Sequence, residues 1–156
     1  MIVLLTAVAL AKTPDDNTGW RGLTFGSPPP PDATCETASL GGFHKSKKCV
    51  LPDPALASVG RFVADGVIGW YDDVGLAEIT LTFDADVDSC MALYVALREV
   101  YGGFGATPAP KVWEGKRVRV SYSDGTRATG CSIDYADVTM AAAQRRRDAA
   151  AEMKDL

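Results

Sequence analysis

The side chains that could do chemistry are few. His44 is the single histidine of the sequence, and it stands beside Lys45, Lys47 and Lys48. Nucleophilic catalysis on a Ser–His–Asp plan needs an oriented nucleophile and carboxylate around the imidazole. No such pair is placed around His44 by spacing. One histidine also argues against a His-rich transition-metal site. Asp84-Ala-Asp86-Val-Asp88 has the alternating carboxylates that open a calcium loop, but that loop needs Gly at its sixth position and Glu at its twelfth. Ser89 and Val95 stand there, so the aspartates read as helix caps. Tyr101-Gly-Gly-Phe-Gly105 is glycine-rich but follows a helical pattern, whereas phosphate-cradling loops precede one. We therefore assign no catalytic residue, no metal ligand and no cofactor from the sequence.

The elements that would position any site are clearer. Gly66 to Tyr71, a turn at Asp72-Asp-Val-Gly75, and Leu76 to Phe83 read as a hairpin. Ala77, Ile79, Leu81 and Phe83 are expected on its buried side, with Glu78, Thr80 and Thr82 on the other. Asp86 or Asp88 then caps a helix to about Tyr101, with an apolar stripe of Cys90, Leu93, Tyr94, Leu97 and Tyr101. Gly102 and Gly103 end it. A second hairpin runs through Val118–Tyr122, an Asp-Gly turn at Asp124-Gly125, and Thr129–Tyr135. Asp137 or Thr139 opens a final helix to about Leu156, with a weak stripe of Val138, Ala142, Ala149, Met153 and Leu156. Pro28 to Pro31 forbid helix and central strand, and residues 33 to 60 read as irregular, with a short helix at Pro54–Val59. The expected fold class is α+β: an antiparallel sheet of about four strands in two hairpins, one packed helix between them, and a C-terminal helix.

The chain has 156 residues, a net charge of −4, 47% hydrophobic and 23% charged residues. Those values suit one globular domain and disfavour a nucleic-acid partner, which calls for a basic excess. Met1 to Ala11 is an uncharged apolar run closing on Ala9-Leu10-Ala11. It reads as a signal peptide over residues 1–11, although no Lys or Arg precedes its core; a buried first strand, Ile2 to Leu5, is the alternative. Residues 12–19 read as a disordered start and 20–156 as a single domain. Nothing later is long and apolar enough to span a bilayer as a helix. The expected location is periplasmic or secreted.

Four cysteines in an exported chain favour disulfides, and four allow three connectivities. We choose Cys35–Cys49, because the pair flanks a Gly-rich basic segment with little core of its own. Cys90–Cys131 follows because Cys131 shares the apolar side of its strand and faces the helix stripe that carries Cys90. The competing reading keeps Cys90 and Cys131 as reduced core residues.

Trp70, Trp113, Lys116, Arg117 and Arg119 form a candidate interaction surface, for an envelope protein or an anionic membrane surface. The competing reading makes the aromatics core packing and the cations, with Lys111, guards of an edge strand. Arg145, Arg146 and Arg147 read as a solvated helix face.

Gly22-Leu-Thr-Phe-Gly26 followed by hairpin, helix and a hairpin carrying Trp113-Glu-Gly115 resembles small bacterial envelope domains of unknown function. The pattern is similar to the helix-plus-sheet modules of outer-membrane assembly lipoproteins and β-lactamase-inhibitor-like proteins. Those modules place a helix after the Phe-Gly strand, where this chain has Pro28 to Pro31. The likeness covers residues 20–26 and 66–134 and assigns no site residue. The expectation is a non-enzymatic binding or scaffold module of the bacterial cell envelope. The alternatives are a secreted enzyme inhibitor probing with its 35–49 loop, and a hydrolase in which Asp65, Asp72, Asp73 and Asp84 converge.

Overall fold

A computed structural model describes residues 13–16, 19–40, 44–103, 111–125 and 130–140. The elements are β1 (Gly19–Trp20), β2 (Leu23–Thr24), β3 (Thr34–Leu40), β4 (His44–Val50), β5 (Ser58–Val59), β6 (Phe62–Val63), β7 (Gly66–Asp72), β8 (Gly75–Phe83), α1 (Val87–Tyr101), β9 (Val112–Glu114), β10 (Val118–Asp124) and β11 (Cys131–Asp137). Seven strands form one antiparallel sheet in the order β3-β4-β7-β8-β11-β10-β9, and two small ribbons, β1-β2 and β5-β6, stand beside it. The expectation of a four-stranded α+β fold is corrected: the protein is mostly β, with α1 as the one long helix among the described residues.

Strand alternation explains the centre of the sheet. Ile79, Leu81 and Phe83 of β8, Val118, Val120 and Tyr122 of β10, and Cys131, Ile133 and Tyr135 of β11 are all buried on one face. The helix covers that face with Cys90, Leu93, Tyr94 and Leu97. Its start is fixed by Asp86, whose carboxylate accepts the Ser89 N–H at 2.7 Å. An aromatic cluster closes the far end: Tyr94 lies 5.0 Å from Tyr122 and 6.5 Å from Trp113, centroid to centroid. The Trp113 indole donates to the Gly102 carbonyl at 2.9 Å.

The strands missed in sequence lack an apolar rhythm. In β3 (TCETASL) and β4 (HKSKKCV), read as irregular, hydrophobic side chains are few, and over 46–50 the buried residues of β4 are Ser46 and Cys49. Register supplies what burial does not. Cys35 pairs directly with Cys49 and Glu36 with Lys48, and Cys49 pairs with Gly69 of β7. One further correction lies in β8. Trp70 stands opposite Glu78 but Tyr71 opposite Leu76, so Ala77 is an extra residue, a β-bulge. The bulge turns Leu76 inward to full burial, where alternation alone had placed Ala77.

Two disulfides are formed, Cys35–Cys49 and Cys90–Cys131. The second ties α1 to the first residue of β11, with its Cα atoms 5.9 Å apart. Within the stretch read as a disordered start, Pro14–Asp16 make a 3-10 turn. The Asp15 carboxylate there accepts the backbone N–H groups of Lys116, Arg117 and Val118. Those bonds hold its carboxyl below the usual range. The proposed short helix at Pro54–Val59 is a 3-10 turn, Pro54–Ala57, capped by Asp53. Residues 1–11, and the expected final helix beyond Met140, lie outside the described residues. No helix among the described residues is long and apolar enough to cross a membrane.

Candidate functional site

The second face of the sheet carries no helix among the described residues. Alternation points Ile68 and Trp70 of β7, Glu78, Thr80 and Thr82 of β8, Asp134 of β11, and Arg119 and Ser121 of β10 toward it. All are half-buried, packed shoulder to shoulder across the strands. Strand register places them in rows. Trp70 pairs with Glu78, Glu78 with Ala136, and Ala136 with Arg119. In the next row Ile68 pairs with Thr80, Thr80 with Asp134, and Asp134 with Ser121. Glu78 and Asp134 are thus diagonal neighbours, a spacing over which long side chains interact. The small Ala136 between Glu78 and Arg119 leaves room for carboxylate and guanidinium to approach.

A hydrogen-bond relay organises the centre. The Trp70 indole N–H donates to Thr80 Oγ1 at 3.2 Å. The Thr80 hydroxyl donates to Asp134 Oδ1 at 2.8 Å, and the Ser121 hydroxyl reaches Asp134 Oδ2 at 3.5 Å. The electrostatics follow from burial beside a like charge. Burial, reinforced by the Asp134 charge and partly offset by Arg119, pushes the Glu78 carboxyl up to about 7. Burial also raises Asp134, against the pull of Thr80, Ser121 and Arg119. Two carboxyl groups therefore share one guanidinium, and one of them is poised to change charge near neutrality.

Such a pair can exchange a proton or accept a cation. Acid–base catalysis needs a substrate held within hydrogen-bond reach, and catalytic pairs are typically set in clefts. The described cavities lie elsewhere. An apolar groove of about 1010 Å³ runs along α1, and a smaller one of about 240 Å³ sits beside Cys90, between Tyr94 and the Lys111–Asp124 ion pair. Neither is lined by Glu78 or Asp134. The pair is therefore placed to accept a cation on the face that the described residues leave without a helix.

The residues singled out in sequence distribute unevenly. Trp70 and Arg119 reach the outer face. Trp113 does not: it is 7% exposed and packs on the inner side against Tyr94 and Tyr101. Arg117 is tied to Asp137, Nε to Oδ2 2.9 Å, and the Lys116 backbone is held by Asp15. The four aspartates of the hydrolase alternative do not converge. Asp72 and Asp73 occupy the β7–β8 turn, while Asp65 and Asp84 meet at the opposite end of the hairpin, where Asp65 accepts the Asp84 N–H at 2.6 Å. The length of the strands, roughly 20 Å, separates the two pairs. His44 opens β4 opposite Leu40.

Sequence reasoning missed Glu78 and Asp134. Each sits in an alternating strand at a position where a polar residue is ordinary, and they come together only through the β8–β11 pairing. Comparison with protein-family models, with curated proteins and with solved structures finds no match to this chain.

Proposed function

We propose that the protein is an exported, non-enzymatic binding module that engages a basic protein partner through the outer face of its sheet. The single observation carrying this reading is the Glu78–Asp134 pair beside Trp70. A partner Arg or Lys seated between the two carboxylates relieves their mutual repulsion and lies against the indole face. Ile68, Val50 and Val112 extend the same face with apolar surface; Val50 is 51% and Val112 47% exposed. The two disulfides support an oxidising compartment, hence the periplasm or the cell exterior.

One observation favours a second reading, an inhibitor that probes with the β3–β4 hairpin. Its disulfide joins residues directly paired across the hairpin, which would hold a probe rigid.

Site-specific photocrosslinking in the producing cell separates the two. A photoreactive residue at Ile68 is expected to give a discrete protein adduct that disappears in the Glu78→Gln/Asp134→Asn double variant. One at Thr37 of β3, or at Val63 of β6, is expected to give none. An adduct confined to Thr37 supports the inhibitor reading, and an Ile68 adduct indifferent to the double variant overturns the acid-pair argument.

A further inference from the structure

The turn that joins β9 to β10 is built as a cradle for an anion. The Gly115 N–H donates to the Val118 carbonyl at 2.8 Å and closes the turn. The next three N–H groups converge on one carboxylate, that of Asp15. Lys116 donates to Oδ2 at 2.7 Å, and Arg117 and Val118 donate to Oδ1 at 2.8 and 2.9 Å. Main chain alone thus holds both oxygens of a planar group, which is how runs of successive amides bind anions. Position 115 has to be glycine for this approach: a Cβ there would stand 2.3 Å from Asp15 Oδ1.

The cradle is set by the strands and not by its occupant. Antiparallel pairing of Arg119 with Glu114, Val120 with Trp113 and Ser121 with Val112 fixes the turn from both sides. Asp15 comes to it from 101 positions away, on a turn of three residues, Pro14–Asp16. Pro14 is buried and Asp15 half-buried. A cavity of about 680 Å³, lined by Tyr101 and Trp113 as well as by Pro14 and Asp15, adjoins the cradle. Apart from Asp15, its charged lining residues are Lys116 and Glu114. Arg117 turns its guanidinium to Asp137, so the cation acting on the Asp15 carboxylate is Lys116.

We propose that the β9–β10 turn is a carboxylate-binding site, occupied from within the chain by Asp15 and open to an acidic segment of another protein that displaces residues 13–16. The occupant shows the ligand chemistry: an aspartate carboxylate on the three amides, with a proline ring packed beside it. The site is separate from the Glu78–Asp134 pair and takes the opposite charge, so the proposal is independent of the outer-face reading.

Amide-resolved NMR on the full chain tests it. Asp15→Ala empties the cradle, and N-acetyl-prolyl-aspartate amide is the probe. The expected result is a saturable shift of the Lys116, Arg117 and Val118 amides toward their wild-type positions. The asparagine counterpart of the probe, which lacks the charge, is expected to give none. Gly115→Ala added to Asp15→Ala should abolish the response. In the wild type the probe should need a concentration higher by on the order of tenfold, because Asp15 competes from within the chain at a high effective concentration. If Asp15→Ala disorders the turn, recovery of the wild-type amide positions on adding the probe supports the site. Amides that the probe leaves unmoved, in an ordered or a disordered turn, would make Asp15 a structural staple and overturn the proposal. An equal response in wild type and variant, or a response to the asparagine counterpart, would overturn it as well, by placing the binding elsewhere.

Discussion

Replacing Glu78 by Gln should stabilise the protein at pH 8 and leave it little changed at pH 4.5. The reasoning is a linkage argument. Folding raises the Glu78 carboxyl from its ordinary 4.5 to about 7, so the folded state holds the proton more tightly than the unfolded chain. Such a group contributes stability at low pH, and the contribution is lost as pH rises from 4.5 through about 7. At about 1.4 kcal/mol per unit, the rise corresponds to about 3 kcal/mol. Above pH 7 the wild type carries a half-buried carboxylate facing Asp134, with Arg119 as its partial counterweight. The Gln variant carries no such charge. Urea unfolding of both proteins at pH 4.5, 6 and 8, followed by far-UV circular dichroism, measures the difference directly. The expected gain for Glu78→Gln grows by about 3 kcal/mol across that range. In an Asp134→Asn background the growth should shrink, because one cause of the raised pKa is gone. A variant equally destabilised at every pH, or a gain that does not depend on pH, would refute the reasoning.

Further outcomes follow from the same structure. Removing Cys90–Cys131, which closes 41 residues, by a double Ser substitution should cost about 4 kcal/mol, and removing Cys35–Cys49, which closes 14, about 3 kcal/mol, read as shifts in urea midpoint. Asp137→Ala should cost about 2–4 kcal/mol, since it removes the Thr139 and Met140 caps and the Arg117 partner from a fully buried site. The same variant should speed exchange of the Thr139 and Met140 amides. Gly75→Ala should cost about 2 kcal/mol or more in thermal or urea unfolding. Gly75 holds φ +131°, and an added Cβ would stand 2.3 Å from the Gly26 carbonyl oxygen.

The parts of this fold legible in the sequence are those where local pattern and burial agree. The β7–β8 and β10–β11 hairpins carry apolar residues at every second position, and α1 carries a cap, a stripe and a terminal glycine. Both disulfide pairings came from position, one from flanking a weak segment and one from facing. Pattern fails where another force sets the structure. β3 and β4 at the sheet edge are held by hairpin register, a disulfide and β7, so their sequences need no apolar rhythm. The bulge at Ala77 shifts the alternation of β8 by one residue, and the burial of Leu76 follows from that shift rather than from its position in the run. The acid pair was hidden for a topological reason: Glu78 and Asp134 lie 56 positions apart, and each alone is an ordinary outward polar residue. For Trp113 the sequence offers both a surface role and core packing, and its strand turns it toward the Tyr94–Tyr122 stack, the core-packing alternative.

The most direct test of the outer-face reading is an NMR titration of the Glu78 side-chain carboxyl carbon, without and with added N-acetyl-arginine amide as a stand-in for a partner's guanidinium. The account predicts a midpoint near 7 that moves down when the arginine derivative is added, accompanied by a shift of the Trp70 indole N–H. A midpoint near the ordinary 4.5, or one near 7 that ignores the added cation, would contradict it.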